Sequence, residues 1–234
     1  MQGKIFSGVP SKDFLLIPQV GILRNKSCQN LSEYRDQVKK SLVYLLVLLW
    51  FFFASLAQAG TIVGKAKVQG KQDHQNIVVY VEGVAGNFQP PSVRPEMNHI
   101  NLSFQPFVLA VLKGTIVDFP NSDPVFHSAF SISPSNPFDL GLYQKGREKF
   151  VHFKNPGIAE IFCHIHSHMH AYILVLDNPF FATTEQDGSF TIPNVSDGAY
   201  TLKAWLNPSV VISKPVSIHG KQTVNLDFTL VAER

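Results

Sequence analysis

Apolar and polar side chains alternate in short runs over most of the chain, the pattern of strands with one face buried. The runs are TIVGKAKV at 61–68, NIVVYVEGV at 76–84, NHINLSFQP at 98–106, FVLAVLKGTIVDFPN at 107–121 and AFSIS at 129–133. They continue with FDLGLY at 138–143, KFVHFKN at 149–155, AEIFCHI at 159–165, AYILVLD at 171–177 and SFTIP at 189–193. AYTLKAWL at 199–206, PVSIH at 215–219 and TVNLDFTL at 223–230 complete the series. Val, Ile, Phe, Tyr and Thr fill these runs, and Gly, Pro, Asn and Asp separate them. Beyond residue 59 no stretch of about 10 residues holds a 3.6-residue apolar period, so the fold class is all-β, a sandwich or barrel.

The runs divide into two groups. Those from about Asn98 to Asp177 surround a histidine-rich segment, whereas 183–230 carries two turn signals, Asp187-Gly188 and Asp197-Gly198, each followed by an alternating strand. The second group is small for a self-sufficient domain. The strands between Gly60 and Gly83 are the available complement, which predicts one small sandwich made of 60–84 and 182–234 with a larger domain, 85–181, inserted into it.

The N-terminus is patterned differently. Lys39 and Lys40 precede the apolar stretch Leu42 to Leu56, which ends in Ala57-Gln58-Ala59. A basic segment, an apolar segment and a small-x-small site in that order form a secretory signal peptide over 39–59, with Gly60 as the first mature residue. A membrane anchor would need about 20 apolar residues. Residues 1–38 lack apolar periodicity and exceed an ordinary leader's basic segment. They read as sequence upstream of the true start, with Leu31 or Val38 as candidate initiators; peptides from this stretch in a mass spectrum of the precursor would overturn that.

Removing the leader changes the charge balance. The chain carries 20 Lys and Arg against 17 Asp and Glu, but seven of the basic and three of the acidic residues lie in 1–59, leaving the mature part near −1. That balance gives no footprint for nucleic acid. It also isolates the cysteines, because Cys28 falls in the discarded part and Cys163 is left alone. In an oxidising compartment a lone thiol calls for a metal bond, an intermolecular disulfide or burial.

Cys163 opens the segment Cys-His-Ile-His-Ser-His-Met-His between the strands AEIF and AYILVLD. Cys163, His166 and Met169 are thus spaced Cys-x-x-His-x-x-Met on one short connection. A soft thiolate, an imidazole and a thioether favour copper, and a second imidazole would complete a His₂Cys site with a weak axial Met. His127, just beyond the strand ending at Phe119, is the candidate. Zinc is the rival metal, but thioether is not among its usual ligands. Taken singly, each of these residues is as well explained by core packing or surface placement; their joint spacing carries the reading.

The wider pattern runs from Phe104-Gln105-Pro106 through Gly114-Thr115-Ile116-Val117-Asp118-Phe119-Pro120-Asn121-Ser122-Asp123 to His127, then the Cys163 loop and Thr184 to Phe190. It resembles the cupredoxin superfamily, with a ligand loop most like that of amicyanin and an arrangement like the plastocyanin-like proteins labelled methylamine utilization proteins. Its tail resembles carboxypeptidase regulatory-like domains, which are transthyretin-like sandwiches. The resemblance covers nearly all of 60–230. It implies a Greek-key cupredoxin sandwich, one type 1 copper ion held by His127, Cys163, His166 and Met169, and exchange of single electrons with partner proteins in the periplasm or outside the cell. One position departs: many cupredoxins follow the first histidine ligand with Asn, and this chain has Ser128.

His164, His168 and His170 alternate with the ligand positions and read as solvent-facing, with a weaker second metal site as the sharper alternative. His74, His99, His152 and His219 stand singly, unlike the clustered histidines of multicopper enzymes, and no hydrolase triad or phosphate loop is present. The chain therefore reads as an electron carrier and not an enzyme. Copper storage, sensing or delivery is the alternative.

Overall fold

The computed structural model describes residues 33–45 and 59–232. The chain divides into two compact units, Met1–Leu56 and Ala57–Arg234. In the first, residues 33–45 form an exposed α-helix that includes Lys39 and Lys40. The rest of the expected apolar leader segment, and Ala57-Gln58 of its cleavage site, lie outside the described residues. Among those residues no helix is long and apolar enough to cross a membrane.

The second unit is all β. Strand β1 (Ala59–Val68) lies between β13 (Ser189–Ser196), which runs antiparallel to it, and the parallel β16 (Thr223–Asn225), while the parallel β17 (Phe228–Leu230) pairs further along β1. At Gly64 any Cβ would collide with the Leu226 carbonyl, so a glycine lets the chain cross β1 there. A second, antiparallel sheet runs β12 (Phe181–Thr183), β2 (Val78–Glu82), β14 (Gly198–Asn207), β15 (Val210–Ile218). The two sheets enclose one core, to which Ile62, Val79, Ile192, Leu202 and Phe228 contribute.

A third sheet runs β5 (Val108–Leu112), β11 (His170–Leu176), β10 (Gly157–Phe162), β7 (His127–Ser131), β8 (Phe138–Tyr143), with only the β5–β11 pair parallel. The 107–121 run is two strands, broken at Gly114 with φ 87°. After this turn the chain enters β6 (Thr115–Pro120), which pairs antiparallel with β9 (Glu148–Phe153). A short hairpin, β3 (Asn98–Ile100) and β4 (Ser103–Gln105), is bridged by His99 to Asn121, just beyond β6, and Glu96, just before the hairpin, is bridged to Asp118 within β6. Val117, Phe119, Phe153, Ile161 and Ile173 form the second core, and Cys163 and Met169 belong to it.

The two cores are joined. Val78, Val108, Leu174 and Trp205 form a third buried cluster, flanked by Tyr80 and Tyr172. Successive side chains of a strand point to opposite faces. Val79 and Val81 therefore enter the first core while Val78 and Tyr80 face the seam. Ile173 and Val175 enter the second core while Tyr172 and Leu174 face the same seam. Strands buried on both faces are apolar at nearly every position, which is the physical reason for VVYV and YILVL.

Candidate metal centre

His127 is the first residue of β7, and Cys163 follows the last residue of β10. The two strands run antiparallel and pair at Phe130 and Phe162, so the start of one and the end of the other share one end of the sheet. The chain then turns tightly, with the Met169 N–H donating to the His166 carbonyl at 2.9 Å, before entering β11. Three of the four expected ligands are thereby brought to one point. Cys163 Sγ lies 3.9 Å from His127 Nδ1 and 3.8 Å from His166 Nδ1, and the two nitrogens are 3.1 Å apart. A point in the plane of these atoms is about 2.1 Å from each, within the range of metal bonds to imidazole, about 2.0–2.1 Å, and thiolate, about 2.3 Å. The donor set thus fits a metal ion.

Met169 closes the same loop and is 1% exposed, packed in the core cluster that contains Cys163 and Tyr143. His127 and Cys163 are buried, and only His166 among the three nitrogen and sulfur donors is partly open to solvent. Among the described residues this is one group of three or more metal-capable side chains. His164, His168 and His170 do not join it. The first faces Asp139 at 3.1 Å and stacks on Phe130 at 4.0 Å, the second has its ring 6.2 Å from that of His166, and the third is edge-on to Phe107 at 5.2 Å.

Hydrogen bonds fix the donors. His127 Nε2–H donates to Asp123 Oδ2 at 2.9 Å, which leaves the Nδ1 lone pair for the metal. Burial opposes ionisation of Asp123, but the N–H groups of Leu102 and Asn101, at 2.9 and 2.7 Å, and the His127 ring outweigh it and lower its pKa. Burial likewise opposes ionisation of Cys163. Hydrogen bonds from the Ser128 backbone, the Ile165 backbone and the Ser128 hydroxyl oppose it, and the thiol is lowered to about 6. The centre holds its thiolate ready at neutral pH.

Ser128 links the two parts of the site. It is fully buried, its hydroxyl accepts the His164 N–H at 2.8 Å and donates to Cys163 Sγ at 3.7 Å, and so it ties the start of β7 to the 163–169 loop.

Asp123 and His99 are site residues that sequence reasoning missed. Asp123 carried a signal, standing four positions before His127 in a polar segment. His99 carried none. It is 0% exposed, and its ring stacks on His127 with centroids 5.0 Å apart and planes at 17°. Burial lowers its pKa, so the ring is neutral.

Solved structures similar to the chain include a copper-containing nitrite reductase from Thermus scotoductus SA-01, 26% identical over 42% of this chain and 25% of that one, with a TM-score of 0.36. A reduced tryptophan-to-tyrosine mutant of amicyanin is 13% identical over 42% of this chain and 98% of its own, with a TM-score of 0.34. A methionine-to-alanine mutant of amicyanin in its Cu(I) form gives the same values. The chain spans about a quarter of the length of the nitrite reductase chain. Residues 175–226 match the family described as polysaccharide lyase family 4, domain II. No curated protein matches the chain in sequence.

Proposed function

We propose that the chain holds one type 1 copper ion through His127, Cys163, His166 and Met169 and carries single electrons between partner proteins. The observation that carries this reading is the buried triangle of one sulfur and two nitrogen atoms, 3.1 to 3.9 Å on a side. A thiolate and two imidazoles with a thioether close by suit copper over zinc. Copper, when bound, supplies the one-electron couple. The protein would hold such an ion in a buried donor set; it keeps water from His127, Cys163 and Met169, and leaves the His166 edge for contact. Phe126 and Ile165, beside two of the ligands and 53% and 48% exposed, give that end an apolar rim suited to brief encounters.

The same reading places the protein outside the cytoplasm, exported by the segment 39–59, and groups it with the plastocyanin-like proteins labelled methylamine utilization proteins. Residues 85–181 are the copper domain, inserted between 60–84 and 182–234, which form a transthyretin-like module of the carboxypeptidase regulatory type. Storage, sensing or delivery of copper is less favoured, because Cys163, His127 and Met169 are enclosed. An absorption spectrum and redox titration of the copper-loaded protein test the proposal. A strong thiolate-to-copper band that bleaches reversibly on one-electron reduction, and that Cys163→Ser abolishes, is expected. Absence of the band in the wild type, or its survival in Cys163→Ser, overturns it.

A further inference from the structure

We infer that the β3–β4 hairpin is a clamp on the metal centre, with His99 as the positioning residue of His127. The inference rests on the copper reading above and concerns residues outside the ligand set. His127 is gripped from two directions, and both grips come from residues 98–105.

The first grip is on the face of the ring. His99 lies parallel to His127. Its own orientation is fixed, because Nδ1–H donates to the Pro120 carbonyl at 2.9 Å while Nε2 accepts from the Tyr143 hydroxyl at 3.5 Å and lies 3.4 Å from the Ser128 carbonyl. The ring therefore spans the two ends of the loop that delivers His127. Tyr143 meets it edge-on at 5.3 Å and Phe104 packs beside it at 4.9 Å, so it has no free direction of rotation.

The second grip is on the far nitrogen. Asn101 and Leu102 form the hairpin turn with φ of 53° and 56°, a backbone region that leucine rarely adopts. That geometry turns two successive N–H groups toward the Asp123 carboxylate, making a small anion-binding nest. Asp123 in turn holds His127 Nε2–H. The hairpin is itself bound to the loop, since Ser122 N–H donates to the His99 carbonyl at 3.1 Å and Asn98 Nδ2 donates to Ser122 Oγ at 3.0 Å.

Together these contacts set both torsions of the His127 side chain and aim Nδ1 at the centre before any metal arrives. A ligand so held cannot swing away to let the metal leave. The residue types agree with this role. A buried, neutral histidine accepts a stacked imidazole on its face and still satisfies a loop carbonyl at its edge, which no aliphatic side chain does.

Full-length wild type, His99→Leu, His99→Phe and Asp123→Asn are loaded with Cu(II), and copper loss to an excess of chelator is followed with the thiolate absorption and the copper hyperfine splitting. Thermal unfolding of the metal-free forms is recorded in parallel. His99→Leu should release copper at least tenfold faster than wild type, in line with other outer partners of metal-bound histidine, and should shift the hyperfine splitting. His99→Phe retains a stacked ring and should recover most of that loss, although both variants lower the metal-free unfolding temperature alike. The double variant His99→Leu/Asp123→Asn should lose less than the product of the single effects, because both contacts act on one side chain. Wild-type release rate and splitting in His99→Leu, or equal impairment of the Leu and Phe variants, overturns the clamp. Failure of the wild type itself to show the thiolate band is a separate result that defeats the copper reading.

Discussion

At Ser128 one hydroxyl serves two groups, and removing it has two separable effects. Ser128→Ala leaves the partly buried His164 N–H without its acceptor, which costs about 1 kcal/mol, visible as a lower denaturant midpoint. It also strips a hydrogen bond from the thiolate, which favours the more electron-rich reduced centre, so the reduction potential should fall; an unchanged or higher potential would contradict the contact. The Cys163 thiol gives a second measurement. Its folded pKa is depressed from near 9 to about 6, so between those values the native state is ionised and the unfolded chain is protonated. Stability of the metal-free protein should therefore rise from pH 6 to pH 9 and be lost as pH falls through 6, by a few kcal/mol at roughly 1.4 kcal/mol per unit. Cys163→Ala should flatten that slope. If copper is held as proposed, with Met169 as its weak fourth ligand, Met169→Leu should raise the potential, since losing a donor disfavours Cu(II) more than Cu(I), and Met169→Gln should lower it. The meeting of Cys163 and His166 with His127 was legible because thiolate and imidazole are chemically distinctive at that spacing. His99 was not, because its closeness to His127 arises from a strand bridge between residues far apart in sequence, and a single histidine in an alternating run looks like any other.

The hairpin that carries His99 shows what alternation leaves out. Residues 98–106 read as one run, and they fold back at Asn101-Leu102 without the Asn-Gly or Asp-Gly pair that usually marks such a turn. What replaces the glycine is the Asp123 carboxylate, a tertiary partner that accepts both N–H groups and holds Leu102 in a backbone conformation costing about 1–2 kcal/mol. Because Leu102 is 41% exposed, little burial is lost on truncation. Leu102→Gly should therefore keep the N–H, relieve the strain and match or exceed wild-type stability by up to about 1 kcal/mol, whereas Leu102→Val should destabilise. Thermal unfolding of the two metal-free variants checks this, and a marked loss in the glycine variant would mean that the turn is not strained. Elsewhere the local signals were sufficient: Gly188, at φ 83°, turns the chain into β13, and Asp187 caps that turn by accepting the Ser189 N–H at 2.9 Å.

On the scale of the whole molecule, alternation predicts that a strand has a buried face but does not say what covers the other one. The sheets that enclose the first core and the core containing Cys163 and Met169 meet through Val78, Val108, Leu174 and Trp205, so the second unit carries a buried seam as well as two cores. VVYV and YILVL, apolar on both faces, held that information without naming the partner. The seam makes a prediction about cooperativity. Trp205 is 1% exposed, packs edge-on to Tyr172 at 5.4 Å, and leaves its Nε1–H without a partner. Trp205→Ala should cost about 3–5 kcal/mol, and by loosening the seam should separate a single calorimetric transition of the metal-free protein into two. Trp205→Phe retains an aromatic edge and removes the orphaned N–H, whose burial costs about 1–3 kcal/mol, so it should be far milder and keep one transition. The copper absorption should be the same in all three proteins, since no metal-centre residue belongs to this cluster. Equal losses in the Phe and Ala variants would show that the full volume of the indole, which a phenyl ring does not fill, holds the seam, and one transition in Trp205→Ala would show that other contacts bind the two cores together.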